Sequence, residues 1–150
     1  MKIVIASDHG GFAYKNILLP IIREQGYDIT DLGAFDDTAS DYPDFAKLVA
    51  DAIENGKAGK GILICGSGVG VSVAANKFKG IRAGVCHDTY SAHQSVEHDD
   101  ANVLCIGERV IGIELAKEIV LSFLAATFSF AERHQRRLDK IKVIEKDNFK

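Results

Sequence analysis

Five short apolar runs recur along this chain, at 2–7, 27–32, 61–65, 82–86 and 102–106, and none alternates polar with apolar residues. A strand with one wet face alternates with a period of two. Uninterrupted Val and Ile runs instead suit a sheet covered on both faces. Segments with helical periodicity separate the runs, at 12–25, 44–55, 68–77, 89–97 and 113–126. Gly26 is placed to stop the first of these, Pro20 is expected to kink or shorten it, and Pro43 suits the first turn of the second. Strict β-α alternation implies a parallel sheet with helices on both sides. With 150 residues the chain can bury one sizeable core, so residues 1–150 are read as a single domain.

Ligands of parallel sheets gather at the carboxyl ends of the strands. In this sequence those ends run into Asp8-His9-Gly10-Gly11, the segment 33–43, Gly66-Ser67-Gly68-Val69-Gly70, His87-Asp88 and Gly107-Glu108-Arg109. A final helical segment, 133–146, follows no further strand and needs a surface to cover, on its own body or on a second subunit. Residues 133–150 hold seven Lys and Arg against three Asp and Glu, although the whole chain carries −3. A basic tail on an acidic body points to a specific anion or another subunit as its partner. The net charge argues against nucleic acid or an anionic membrane. No apolar run approaches the roughly 20 residues that span a bilayer, and no secretory pattern opens the chain, so a cytoplasmic protein is expected.

The densest chemical signal is Cys65-Gly66-Ser67-Gly68-Val69-Gly70, where a strand ends in a thiol and a glycine-rich turn opens a helix. Such a turn lets backbone N–H groups approach an anion or a developing oxyanion, and it favours a thiolate. The plainer alternative is a tight turn beside an inert cysteine. The G-x-G-x-G spacing after the third strand fits a dinucleotide fingerprint poorly. Asp8 reads as a sugar ligand or, more simply, as a helix cap. His98 reads as a general acid–base or as a helix-end residue. Cys65, Cys86 and Cys105 contain no C-x-x-C pair, which disfavours a disulfide framework. A metal site from His87, His93 and His98 lacks a compact ligand motif. Arg133 and Arg137 share one helix face and suit a phosphate, against the plain alternative of a solvated basic face.

Taken jointly these segments resemble the type B ribose-5-phosphate isomerases, a family that includes allose- and galactose-6-phosphate isomerases. The marks are Ser7 to Gly11, Asp41-Tyr42-Pro43, Ile64 to Gly70, Ala74 to Lys77, Gly80 to Ala83, His98 to Leu104, Gly107 to Gly112 and Arg133-His134. Their order and spacing cover essentially the whole chain. The resemblance implies a three-layer α/β/α sandwich on a Rossmann-like five-stranded parallel sheet, with an extra C-terminal helix at about 133–148 reaching a partner subunit. It implies an aldose–ketose isomerase that works through a cis-enediolate without cofactor or metal. Cys65 would be the base, Ser67 would shift the hydroxyl proton, and His98 would open the sugar ring. N–H groups of the Gly66, Gly68, Gly70 loop and of Asp99 would hold the enediolate oxygen. Asp8 and Tyr42 would contact the sugar, and His9, Arg109, Arg133 and Arg137 the phosphate. The resemblance also implies homodimers or homotetramers whose active sites lie between subunits.

Two positions depart from the family pattern. Asp99 stands where Asn is usual after the ring-opening histidine, and Ala131-Glu132 replaces a Gly-Gly pair. The added carboxylate would act on His98 or on a nearby enediolate, and Glu132 would pair with a neighbouring arginine. Ribose 5-phosphate is the expected substrate. The alternatives are a hexose 6-phosphate, allose or galactose, and a non-catalytic sugar-phosphate-binding module on the same fold.

Overall fold

A computed structural model describes residues 1–149; Lys150, counted in the basic tail above, lies outside the described residues. The strands are β1 (Lys2–Ser7), β2 (Asp28–Asp31), β3 (Lys60–Cys65), β4 (Ala83–Val85) and β5 (Val103–Gly107). The helices are α1 (Phe12–Glu24), α2 (Tyr42–Glu54), α3 (Val69–Ala75), α4 (Thr89–Asp99), α5 (Ile113–Ala125) and α6 (Glu132–Asn148). All neighbouring strands pair parallel in the order β2-β1-β3-β5-β4. Helices α1, α4 and α5 cover one face, and α2 and α3 the other.

The central strands show why their sequence does not alternate. Ile3, Ile5, Ile62, Ile64, Leu104 and Ile106 point into the first layer. Val4, Ala6, Leu63, Cys65, Val103 and Cys105 point into the second. Both side-chain sets are buried, so both must be apolar. Each large aliphatic side chain buried this way contributes about 1.5–3 kcal/mol. The edges differ. In β2 only Ile29 is buried and in β4 no residue is, so both are shorter than their apolar runs suggested.

Pro20 neither ends nor shortens α1. Pro20 and Asn16 both lie on the exposed side, so the carbonyl that loses its N–H partner meets water instead. Helix α2 starts at Tyr42, before the expected 44, with Asp41 as N-cap and Pro43 in its first turn. Helix α6 lies against α4 and buries His134 and Leu138. Ile141, Val143 and Ile144 of the same helix remain exposed. Among the described residues no helix is long and apolar enough to cross a membrane.

Two buried lysines were not foreseen. Lys15 pairs with Asp31 at 2.7 Å and also donates to the Ala34 carbonyl, anchoring the segment that follows β2. Lys60 donates to the carbonyls of Phe123 (2.9 Å), Leu124 (3.4 Å) and Ala126 (2.8 Å), closing the C-terminus of α5. Burial lowers the Lys60 ammonium from its usual 10.5 to about 8, against an opposing pull from Asp100. Below pH 8 the native and unfolded chains both hold this proton. Between about 8 and 10.5 only the unfolded chain still holds it, so native stability contributed by this residue rises with pH across that window. Urea denaturation at steps across the window should show the rise, and Lys60→Met should remove it.

Candidate active site

The chain leaves β1 for β2 on one side of the sheet and returns to β3 on the other, so the C-termini of β1 and β3 border the topological switch point. Asp8 and the Cys65 loop lie there. Asp8 is buried, and its Oδ1 accepts the Gly10 N–H at 2.9 Å, so the capping role is realised. The same carboxylate lines a cavity of about 340 Å³ together with Tyr42, Cys65, Gly66, Ser67, Gly70, Arg109 and Val110. A wider groove of about 790 Å³ runs along the outer face of α6, but its lining holds no thiol or imidazole.

The glycines of the loop serve close approach. Gly68 has φ of +78°, and a Cβ there would meet the Ile106 carbonyl carbon at 2.9 Å. A Cβ on Gly107 would come within 2.6 Å of the Ser67 backbone. The turn after β5 is thereby laced to the turn after β3: Glu108 N–H donates to the Cys65 carbonyl at 2.9 Å, and Arg109 N–H to the Gly66 carbonyl at 3.0 Å. This lacing brings Arg109 beside Cys65. The left-handed backbone alone makes Gly68→Ala cost about 1–2 kcal/mol, before the clash is counted. Urea unfolding should show at least that loss.

Within the loop, Gly68 N–H donates to Cys65 Sγ at 3.1 Å and Val69 N–H to Ser67 Oγ at 3.2 Å. Those two donors are therefore not available to a bound oxygen, which narrows the expected oxyanion set. The other thiols are unsuited to the chemistry. Burial pushes Cys86 up, and it pushes the fully buried Cys105 far above the ordinary thiol range. Cys65 alone of the three lines the cavity.

His9 is exposed, is not among the residues lining the cavity, and clasps Ser40. The His9 backbone N–H donates to Ser40 Oγ, and the Ser40 backbone N–H donates to His9 Nδ1, both at 3.1 Å. The neutral ring therefore carries its proton on Nε2. Ser40 had no sequence signal, because only folding brings it to His9. His87, set aside at the sequence level, accepts the Gly107 N–H at Nε2 (3.0 Å) and braces the turn after β5.

The remaining expected residues form a second cluster. His98 lies in the last turn of α4, and its ring stacks on His134 of α6 with centroids 4.1 Å apart. Burial lowers the His134 pKa, reinforced by His98, Arg133 and Arg137, with Glu97 opposing. Asp99, Arg133 and Arg137 are exposed. Glu132 does pair with an arginine, but with Arg136 at 2.9 Å. Among the described residues, Arg133 and Arg137 make no ion pair. None of His98, Asp99, Arg133 and Arg137 lines the Cys65 cavity. Among the described residues no group of three or more His, Cys, Asp or Glu could hold a metal ion. His93 instead pairs with Glu97 at 2.7 Å.

The family described as Ribose/Galactose Isomerase matches residues 3–141. Ribose-5-phosphate isomerase B of Escherichia coli is 47% identical over 144 residues, 96% of each chain. D-erythrulose-4-phosphate isomerase 2 of Mycolicibacterium smegmatis is 45% identical over 132 residues, 85% of this chain and 86% of that protein. The solved structure of Clostridium thermocellum ribose-5-phosphate isomerase B superposes with a TM-score of 0.94 at 48% identity, covering 98% of this chain and 99% of that one. These matches identify an enzyme of the isomerase class, built here on a parallel α/β sheet with a thiol and a guanidinium at its switch point. The chain belongs to the ribose/galactose isomerase family.

Proposed function

We propose that this enzyme interconverts ribose 5-phosphate and ribulose 5-phosphate through a cis-enediolate. The observation that carries the reading is one cavity holding Cys65, Ser67, Asp8 and Arg109 at the sheet's switch point. In the furanose the C1–O4 bond breaks as the ring oxygen takes a proton from the His98 imidazolium, and the C1 hydroxyl gives its proton to water, which returns one to the imidazole. The Cys65 thiolate then removes the C2 hydrogen of the open aldose as a proton. Ser67 carries the O2 proton towards O1, and the Cys65 thiol returns its proton to C1. The net change is one hydrogen from C2 to C1 and one from O2 to O1, with no redox partner required. Asp8 and Tyr42 orient the sugar hydroxyls.

His98, Asp99, Arg133 and Arg137 act in this reading on the cavity of a second copy of the chain. Arg133 and Arg137 hold the phosphate there together with His9 and Arg109. A phosphate clamp at the far end of the substrate uses binding energy to orient the reacting carbons. The sugar's length is set by the cavity and its loops. A four-carbon phosphate named for the Mycolicibacterium relative and the hexose 6-phosphates are therefore the competing substrates.

The purified enzyme is to be incubated with ribose 5-phosphate in the presence of a chelator, and ketose formation followed by absorbance. Turnover supports the reading. A folded protein that converts a tetrose or hexose phosphate instead moves the assignment to that sugar. Tight binding without conversion of any of them makes the chain a binding module.

A further inference from the structure

The N–H groups of a parallel strand point alternately to its two neighbours, and each needs an acceptor. In β5 the Val103 N–H donates to the Arg82 carbonyl on the β4 side, at 3.3 Å, and just past its end the Glu108 N–H donates to Cys65 on the β3 side, at 2.9 Å. Gly107 stands an even number of residues from Val103, so its N–H faces the β4 side. Pairing has already ended there, because the last β4–β5 partners are Val85 and Cys105. The His87 imidazole supplies the missing acceptor, with Nε2 3.0 Å from the Gly107 nitrogen. A backbone amide only donates, so this Nε2 carries no hydrogen.

His87 is anchored on both sides along the chain. The Cys86 N–H donates to the Cys105 carbonyl at 3.2 Å, and Asp88 caps α4 by accepting the Ser91 N–H at 2.6 Å and the Ser91 hydroxyl at 2.8 Å. Gly107 also packs on Ser67, in the turn after β3, without room for a Cβ. The Gly107 carbonyl accepts the Val110 N–H at 3.0 Å and so closes the turn that carries Arg109. The Arg109 side chain lies back over the Cys65 loop: a Cβ on Gly66 would stand 3.4 Å from its Nη1. His87 therefore grips this turn at its root, while Arg109 lines the cavity and His87 does not.

We propose that His87 is a positioning residue for Arg109: its Nε2 takes the Gly107 N–H where the sheet offers no carbonyl, and so sets where the guanidinium meets the substrate's phosphate. The inference rests on Arg109 as a phosphate ligand. A guanidinium holds phosphate oxygens through a fixed fork of donors, so its placement decides how many of those bonds form.

The test separates phosphate binding from the chemistry at Cys65. His87→Leu leaves the Gly107 N–H without its acceptor, and it should raise KM for ribose 5-phosphate at least about fivefold, the lower bound for one unsatisfied amide. Inorganic phosphate, used as a competitive inhibitor, should weaken by the same factor. Loss of binding shared by ground and transition states moves KM alone, so kcat should stay within about threefold of wild type. His87→Ala removes the acceptor without adding apolar bulk and serves as the second variant. His87→Gln, whose side-chain oxygen can stand in for Nε2, should keep KM and phosphate inhibition within about twofold of wild type. The decisive comparison combines two substitutions. Because His87 acts through Arg109, His87→Leu should change the KM of an Arg109→Ala enzyme by less than about twofold.

Three results overturn the proposal. His87→Leu and His87→Ala could lower the melting temperature yet leave KM and phosphate inhibition unchanged, which would make His87 a packing residue. His87→Gln could weaken phosphate as much as His87→Leu does, which would remove the acceptor as the cause. The KM effects of His87→Leu and Arg109→Ala could multiply in the double variant, which would make the two residues independent. Failure of the underlying reading has a different signature: Arg109→Ala alone would then bind ribose 5-phosphate and inorganic phosphate like wild type.

Discussion

Replacing Cys65 by alanine should lower kcat at least about a hundredfold while leaving KM within a few-fold, because a positioned acid–base group contributes 10²–10⁴ and little of that is ground-state binding. The sulfur is fixed by the Gly68 N–H at 3.1 Å and lies in the same cavity as Ser67 and Arg109. The other two cysteines supply an internal control. Burial raises the Cys86 thiol, and neither Cys86 nor Cys105 lines the cavity. Cys86→Ala should therefore keep near wild-type turnover. Alkylation at neutral pH should select Cys65, and bound sugar phosphate should slow it. A Cys65→Ala enzyme that retains more than a tenth of wild-type kcat would remove Cys65 as the base. The same variant should still bind substrate, since the phosphate contacts do not involve the sulfur.

What could be read in the sequence followed from local pattern. Strands β1, β3 and β5 are buried on both faces, so their apolar runs are continuous and their positions were visible. The edge strands were overestimated, because an apolar residue beside an edge need not enter the ladder. Pro20 misled because a proline inside a helix is harmful only where the orphaned carbonyl cannot reach water. Lys15 held a clue that was missed: it shares one helix face with Leu18, Leu19 and Ile22, all of them buried. A lysine on an apolar stripe requires a partner, and Asp31 provides it. In the site, the Cys65 loop, Asp8, Tyr42 and Arg109 were all named from motifs, and the fold brings them to one cavity. The contacts His9–Ser40 and His98–His134 had no such signature. Ser40 is 31 positions from His9, and His134 reaches His98 only because α6 folds back on α4.

The division of the expected residues into two clusters makes a sharp expectation about assembly. Cys65 variants and His98 variants should each be inactive alone, yet regain activity when mixed. In one chain the Cys65 cavity is lined without His98, Arg133 or Arg137. Helix α6 also presents Ile141, Val143 and Ile144 outward, apolar side chains that a second copy would cover. In a two-fold dimer each cavity would then take its histidine and arginines from the other chain. Cys65→Ala and His98→Ala chains, denatured together and refolded, should form hybrids in which one cavity lacks both groups and the other has both intact. Random pairing makes half the dimers hybrid, each with one working site of two, so recovery should approach about a quarter of wild-type activity. Sites contained within single chains predict no recovery, because every cavity in every dimer would then lack one group. The measurement needs only the two variants, a refolding step and the ribose 5-phosphate assay, and a flat zero after verified hybrid formation would end the shared-site reading while leaving the Cys65 chemistry standing.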